Sequence, residues 1–377
     1  MQTTSTYKIA IIGCGRLGQQ YATAYSTFPD TEIVAIAEYN PERRKAVGER
    51  FGVKALYLDA DTMLKEVVPD IAAVVTPTKW MKESVIACAQ AGVKGVSTDK
   101  PLSAKLSDAD EMVEACDSRG VVFAGGNLAV AHNHVQETAH WLRESKFGVI
   151  KGAIVNCMSE DLTGGGVQHI SALRLFMDSE ISKVIAWGKP EESIYKNDSV
   201  MGSNGIFEML NGISVPFYQE NIIDVYKEKF RIDKGQVNKA KMGMDLWTDD
   251  SLIRWYWEDL DIYKGFDKQG KRKIYTPNFS DWHWKQFNYL TGSIRSLISA
   301  IETGSRLAIS GHDLRQALEV AIAIKLSARL GNKSIKLPLV DRSHGLMPAQ
   351  ARWIGGDLIG NPQTIEEASA EWHGYYQ

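Results

Sequence analysis

Gly13-Cys14-Gly15-Arg16-Leu17-Gly18, directly after the apolar run Tyr7–Ile12, decides the fold of this chain. A G-x-G-x-x-G between a strand and a helix makes a tight turn. It lets backbone approach a pyrophosphate and aims a helix N-terminus at that charge. Glu38 follows twenty positions after Gly18, at the end of a second apolar run, Glu32–Ala37. A carboxylate at that offset can accept both hydroxyls of an adenosine ribose and repels the 2′-phosphate of NADP, so NAD is the expected cofactor. Further on, Asp99-Lys100-Pro101 follows the short apolar run Gly95–Thr98. A lysine at the end of a later parallel strand lies along the same crest, where open α/β sheets bind ligands. The chain reads as a dinucleotide enzyme with a lysine near the reacting carbon.

The first 125 residues alternate short β-rich runs with helical patterns, as βαβ units do. The expected strands are Tyr7–Ile12, Glu32–Ala37, Ile71–Thr76, Gly95–Thr98 and Val121–Ala124. Helices begin near Arg16, Pro41, Lys79 and Ser107, the last with Asp110 at capping-box spacing. The expected fold here is an α/β Rossmann domain, residues 1–126, with a doubly wound parallel sheet. After Gly125-Gly126-Asn127 the pattern changes. A helix over Asn133–Ser145 leads to a strand at Val149–Cys157, and Gly164–Gly166 opens a helix over Val167–Met177. Alternating runs follow at Val184–Gly188, Ile206–Leu210, Ile213–Gln219, Glu228–Asp233 and Leu252–Asp259. These predict a large, mostly antiparallel open sheet. Helices over Trp282–Thr303 and Ser310–Leu330 close the region, with Ser310 and Asp313 at capping-box spacing, and Ser334–Leu337 is a last strand. The second domain is therefore α+β, residues 127–340, and 341–377 is a tail.

With 44% hydrophobic and 24% charged residues among 377 and a net charge of −3, the composition is that of a globular protein without a basic face for nucleic acid or an anionic membrane. Met1–Thr6 lacks the features of a signal peptide and no apolar run is long enough for a membrane span, so the expected location is the cytoplasm. Cys14, Cys88, Cys116 and Cys157 form no C-x-x-C and match no zinc spacing. They read as free, mostly buried thiols, with Cys14 a small spacer in the glycine loop, and no metal is expected. Arg43 and Arg44 read as a solvated helix face, and single tryptophans such as Trp255 as packing residues.

From residue 7 to 339 the chain resembles the glucose-fructose oxidoreductase / inositol dehydrogenase / MocA oxidoreductases. The matching stretches are Ile9–Gly18, Ile71–Thr78, Asp99–Leu102 and Gly164–Gly166 with its helix, then Ser310–Asp313, Ser327–Lys333 and Leu337-Pro338. The resemblance implies NAD(H)-dependent hydride transfer at a carbinol or ketone carbon of a sugar, polyol or sugar derivative. Lys100 would stand at the reacting oxygen, where an ammonium stabilises developing alkoxide and relays a proton. It implies cofactor contacts from Gly13, Cys14, Gly15, Arg16, Leu17, Gly18 and Glu38, and from Thr76, Pro77, Thr78 and Trp80 around the nicotinamide ribose. Asp99, Lys100 and Asn127 complete that set. It also implies a homo-oligomer, dimer or tetramer, through the open sheet.

Two departures stand out. The family's usual Glu-Lys-Pro is Asp99-Lys100-Pro101 here. The family's Asp and His, four apart on the helix after the glycines, fall on Gly164 and Gln168, with His169 one residue later. His169 either supplies the missing proton-transfer group or is a structural histidine. Gln168 can hydrogen-bond a substrate hydroxyl but cannot shuttle a proton. Two other functions stay open: a redox-neutral enzyme that recycles bound NAD through a transient keto sugar (glycoside cleavage, elimination or epimerisation), and a non-catalytic NAD-binding sensor.

Overall fold

The computed structural model describes residues 6–126, 128–219, 243–256, 259–277 and 289–349. Asn127, the run Glu228–Asp233, Trp257, Trp282, Trp284 and most of the tail lie outside them. The described residues form two compact units. One holds the chain up to Leu128, the stretch from 289 to Arg315 and the residues from Ser343 on; the other holds Ala129 to 277 and Gln316–Arg342.

The first unit is a six-stranded parallel sheet. Its strands are β1 (Tyr7–Ile12), β2 (Thr31–Ala37), β3 (Leu56–Tyr57), β4 (Ile71–Val74), β5 (Gly95–Ser97) and β6 (Val122–Ala124). They lie in the order β3-β2-β1-β4-β5-β6. Helices α1 (Arg16–Ser26), α2 (Pro41–Phe51), α3 (Ala60–Leu64), α4 (Thr78–Ala91) and α5 (Leu106–Asp117) alternate with the strands. The near-continuous apolar β1 and β4 are buried, as central strands covered on both faces must be. Strand order reverses between β1 and β4, the point where such sheets bind ligands. Register carries the site there: Ile12 pairs with both Ala37 and Val74, so Gly13, Glu38 and Val75 emerge at one level.

Three expectations change. β3, two residues long, is too short to leave a periodic signal. Helix α5 starts at Leu106 with Lys105 at its N-cap and no side-chain cap. Ser107 and Asp110 therefore lie inside the helix, and the Leu106 N–H donates to His344 O instead, beside a Lys105–Gly345 bridge. The helix Tyr289–Thr303, grouped by sequence order with the second domain, packs Leu290, Ile294, Leu297 and Ile298 into the core formed by Ile9, Ile11, Tyr21 and Tyr25. Arg295 fixes it with a bidentate pair to Asp30, at 2.6 and 2.7 Å. Ser310 and Asp313 do form the expected capping box.

The second unit is a nine-stranded sheet built from β7 (Ile150–Asn156), β8 (Ile181–Lys189), β9 (Gly202–Met209), β10 (Ser214–Phe217), β11 (Gly243–Thr248), β12 (Ser251–Tyr256), β13 (Asp259–Phe266), β14 (Arg272–Tyr275) and β15 (Ile335–Lys336). Its order is β14-β13-β12-β11-β7-β10-β9-β8-β15, antiparallel except for the β7–β10 pair. The run expected as Leu252–Asp259 is divided, β12 ending at Tyr256 and β13 beginning at Asp259. Helix α6 (Asn133–Arg143) packs on α7 (Val167–Met177), which lies against β7 and β11. Phe207, Phe217, Leu246 and Trp255 are buried, whereas Trp187, Ile206 and Trp247 are exposed on alternate positions. No helix among the described residues is long and apolar enough to cross a membrane.

Candidate active site of the first unit

A cavity of about 530 Å³ opens over the β1–β4 reversal. Gly13, Gly15, Arg16 and Leu17 line one side. Glu38 lines another, and Thr76, Pro77, Thr78, Trp80, Asp99 and Lys100 the remainder. Each glycine of the loop has its own reason. Gly13 has φ +86°, and a Cβ there would stand 2.8 Å from Val75 O. At Gly18 a Cβ would meet Gly13 O at 1.9 Å, so this glycine lets α1 pack on the turn. At Gly15 a Cβ would meet nothing within 4 Å. The packing of the protein does not require a glycine there, and this bare stretch of backbone lines the cavity. Helix α1 begins at this point with no side-chain cap and no acidic residue in its first turn. Its free N–H groups and dipole fit a pyrophosphate. Cys14 faces the other way, fully buried, with its thiol pushed up far above the ordinary range by burial, so it is a spacer.

Glu38 is buried and already engaged. One carboxylate oxygen accepts the Cys14 N–H at 2.7 Å; the other accepts the Asn40 N–H at 2.8 Å and Arg43 at 3.3 Å. Asn40 in turn caps α2, accepting from the N–H of Glu42 and Arg43. Arg43 and Arg44 are therefore not a solvated face. Arg43 is 8% exposed and lines the cavity, and Arg44 donates to Glu38 O at 2.6 Å. The sequence signal was available in Asn40-Pro41, a helix start that turns the next residues back toward the strand end.

Across the cavity, Tyr21 Oη and the Gly126 N–H both donate to Thr98 O, fixing the backbone before Asp99. Asp99 Oδ1 accepts the Lys100 N–H at 2.8 Å and lies 3.8 Å from Lys100 Nζ. The hydroxyls of Thr76 and Thr78 are buried with no hydrogen-bond partner among the described residues. Unmatched groups on a cavity wall fit a polar ligand. Trp80 is half-exposed, with Lys79 Nζ 5.2 Å from its ring centre.

The second unit answers the Gln168 and His169 alternatives differently for each residue. A turn of π-helix, Leu162–Gly166, precedes α7, capped by Asp161, which accepts from the Gly164 N–H at 3.0 Å and Ser199 Oγ at 2.7 Å. Gln168 is buried and its side-chain oxygen accepts the Ala129 N–H at 2.8 Å. His169 is buried, its Nδ1 2.9 Å from Gly165 O and its ring edge-on to Trp255 at 6.3 Å. Burial pulls its pKa down to about 4, against the smaller opposing effect of the Gly165 carbonyl. These contacts favour the structural of the two roles for His169. They give Gln168 a backbone partner that sequence spacing could not disclose.

The family described as "Oxidoreductase family, NAD-binding Rossmann fold" matches residues 7–126. The chain is similar to D-apiose dehydrogenase of Paraburkholderia graminis, 36% identical over 119 residues, a match spanning only 32% of each chain. It is also similar to myo-inositol 2-dehydrogenase of Thermotoga maritima, 25% identical over 88% of this chain and 98% of the relative. Among solved structures, a levoglucosan dehydrogenase complex with NADH and levoglucosan superposes with TM-score 0.70 at 16% identity, covering 89% of this chain and all of that one. That likeness is one of fold.

Proposed function

Because this chain belongs to the GFO/IDH/MocA oxidoreductases, a family of enzymes with an NAD-binding Rossmann domain, we propose that it is an NAD-dependent dehydrogenase of a sugar, polyol or sugar-derived carbinol, with Lys100 at the reacting oxygen. One observation carries this reading: a single cavity holds the open backbone at Gly15, the carboxylate of Glu38 and the ammonium of Lys100. The free N–H groups at the start of α1 hold the pyrophosphate. Glu38 accepts from the adenosine ribose, and Tyr39 and Leu58 give the cavity apolar walls for the adenine. Bound nicotinamide supplies the hydride acceptor or donor. Lys100 hydrogen-bonds the substrate oxygen, stabilises negative charge developing there and exchanges its proton. The sugar and polyol dehydrogenases among the sequence relatives support the substrate class.

Purified protein is incubated with NAD and a panel of aldoses, polyols and cyclitols, following both NADH absorbance and product mass. NADH should accumulate with one class, and Lys100→Ala should lower turnover by roughly 10²-fold or more, with NAD affinity changing much less than turnover. Product without net NADH would replace this reading by the redox-neutral one; tight NAD binding without turnover would replace it by a sensor.

A further inference from the structure

The residue before Lys100 is a buried carboxylate, and one of its oxygens is unmatched. Asp99 is 2% exposed, and its Oδ2 has no hydrogen-bond partner among the described residues. Native folds keep few such atoms, because an unmatched buried acceptor costs stability. The aspartate is also where the family's usual residue is one methylene longer.

We propose that Asp99 is the positioning residue of Lys100. Oδ1 accepts the lysine's own N–H and, 3.8 Å from Nζ, faces the ammonium that forms when Lys100 takes the substrate's hydroxyl proton, while the unmatched Oδ2 leaves the carboxylate's charge uncompensated by other described groups. The inference rests on the assignment of Lys100 to the reacting oxygen. In carbinol oxidation the Lys100 ammonium first gives up a proton to solvent; the substrate O–H bond then breaks and its proton goes to the Nζ amine so formed. The C–H bond breaks with its electron pair going to the nicotinamide that the proposed activity supplies. A positive charge thus appears on Nζ at the cavity wall, and a carboxylate a few ångströms away favours it. In ketone reduction the ammonium returns the proton to the substrate oxygen. The other charged groups lining the cavity are Arg16, Glu38, Arg43, Asp59, Asp61 and Glu83. A substitution at Asp99 leaves them unchanged.

Asp99→Asn keeps the shape and removes the charge. Thermal stability should hold or rise, since a desolvated anion becomes a neutral amide. kcat should fall about tenfold or more through misplacement of the lysine. The Lys100 ammonium, followed by NMR titration of labelled lysine side chains with Lys100→Gln as the assignment control, should titrate at lower pH than in the parent, because its neighbouring anion is gone. Asp99→Glu should restore part of the rate. A lower melting temperature with a rate loss that merely tracks the unfolded fraction, or a lysine titration that does not move, overturns the proposal. If the lysine titration shifts but the parent oxidises no carbinol, the positioning role stands and the proposed function fails.

Discussion

Gly15 and Gly18 separate what the fold needs from what the ligand needs. Gly15 has φ −66° and ψ −169°, which any residue can adopt, and a Cβ there meets nothing within 4 Å. Gly15→Ala should therefore change unliganded stability by no more than about 1 kcal/mol, the chain-entropy gain and the lost cap preference opposing each other. The added methyl stands on the open side of the turn, where backbone has to approach the pyrophosphate. A 100-fold loss of NAD affinity is about 2.7 kcal/mol. At NAD equal to about 100 times the parent Kd, binding stabilises the parent by about 2.7 kcal/mol and the variant by only about 0.4. For a chain of 377 residues that difference corresponds to roughly 3 °C in melting temperature. Thermal melts with and without NAD measure it directly. Gly18→Ala is the counterpart: its Cβ would lie 1.9 Å from Gly13 O and 2.9 Å from the Gly13 carbonyl carbon, both backbone, so it should melt early even without NAD. An NAD-induced shift in Gly15→Ala as large as the parent's would refute the pyrophosphate assignment.

Two further outcomes follow from buried charge. The parent should bind NAD more tightly than NADP, and Glu38→Ser should narrow the gap by removing the repelling carboxylate and freeing Arg43, at a cost in stability because the Cys14 and Asn40 N–H groups lose their acceptor; titration with both cofactors decides, and tighter NADP binding by the parent sinks the argument. His169 takes up its proton near pH 4 in the fold against 6.5 ordinarily. The unfolded chain is therefore protonated first, so stability is flat above that ordinary value and falls as pH drops toward 4, by up to about 3 kcal/mol; urea unfolding of parent and His169→Leu across this window should show the slope only in the parent.

The parts of this molecule written in local sequence were legible. The glycine loop, the carboxylate at Glu38 and the lysine after β5 each depend on a strand ending at a fixed place, and strand ends show in apolar runs. Arg43 was not, because a charged residue in the first turn of a helix looks solvated until Asn40 bends the chain back toward Glu38. The edge strand β14 carries Arg272 and Lys273, charges that guard a sheet edge but erase the strand signal. Gln168 and His169 could be placed on their helix from sequence, and Gly165 is a local neighbour of His169, yet Ala129 and Trp255 are distant in sequence and only tertiary structure chooses them.

The helix Tyr289–Thr303 gives the nucleotide-binding half a particular dependence on synthesis. Four of its apolar side chains complete a core begun by strands near the start of the chain, and Arg295 reaches back 265 residues to Asp30. Closing so long a loop carries an entropy cost that only the finished core offsets. A ribosome adding roughly 5–20 residues per second reaches this helix many seconds after β6 has emerged. During that interval one flank of the parallel sheet has no apolar cover. The half whose sequence pattern is easiest to read is thus among the last to become whole, and in the cell its safety depends on whatever shields Ile9, Ile11 and Tyr25 in the meantime.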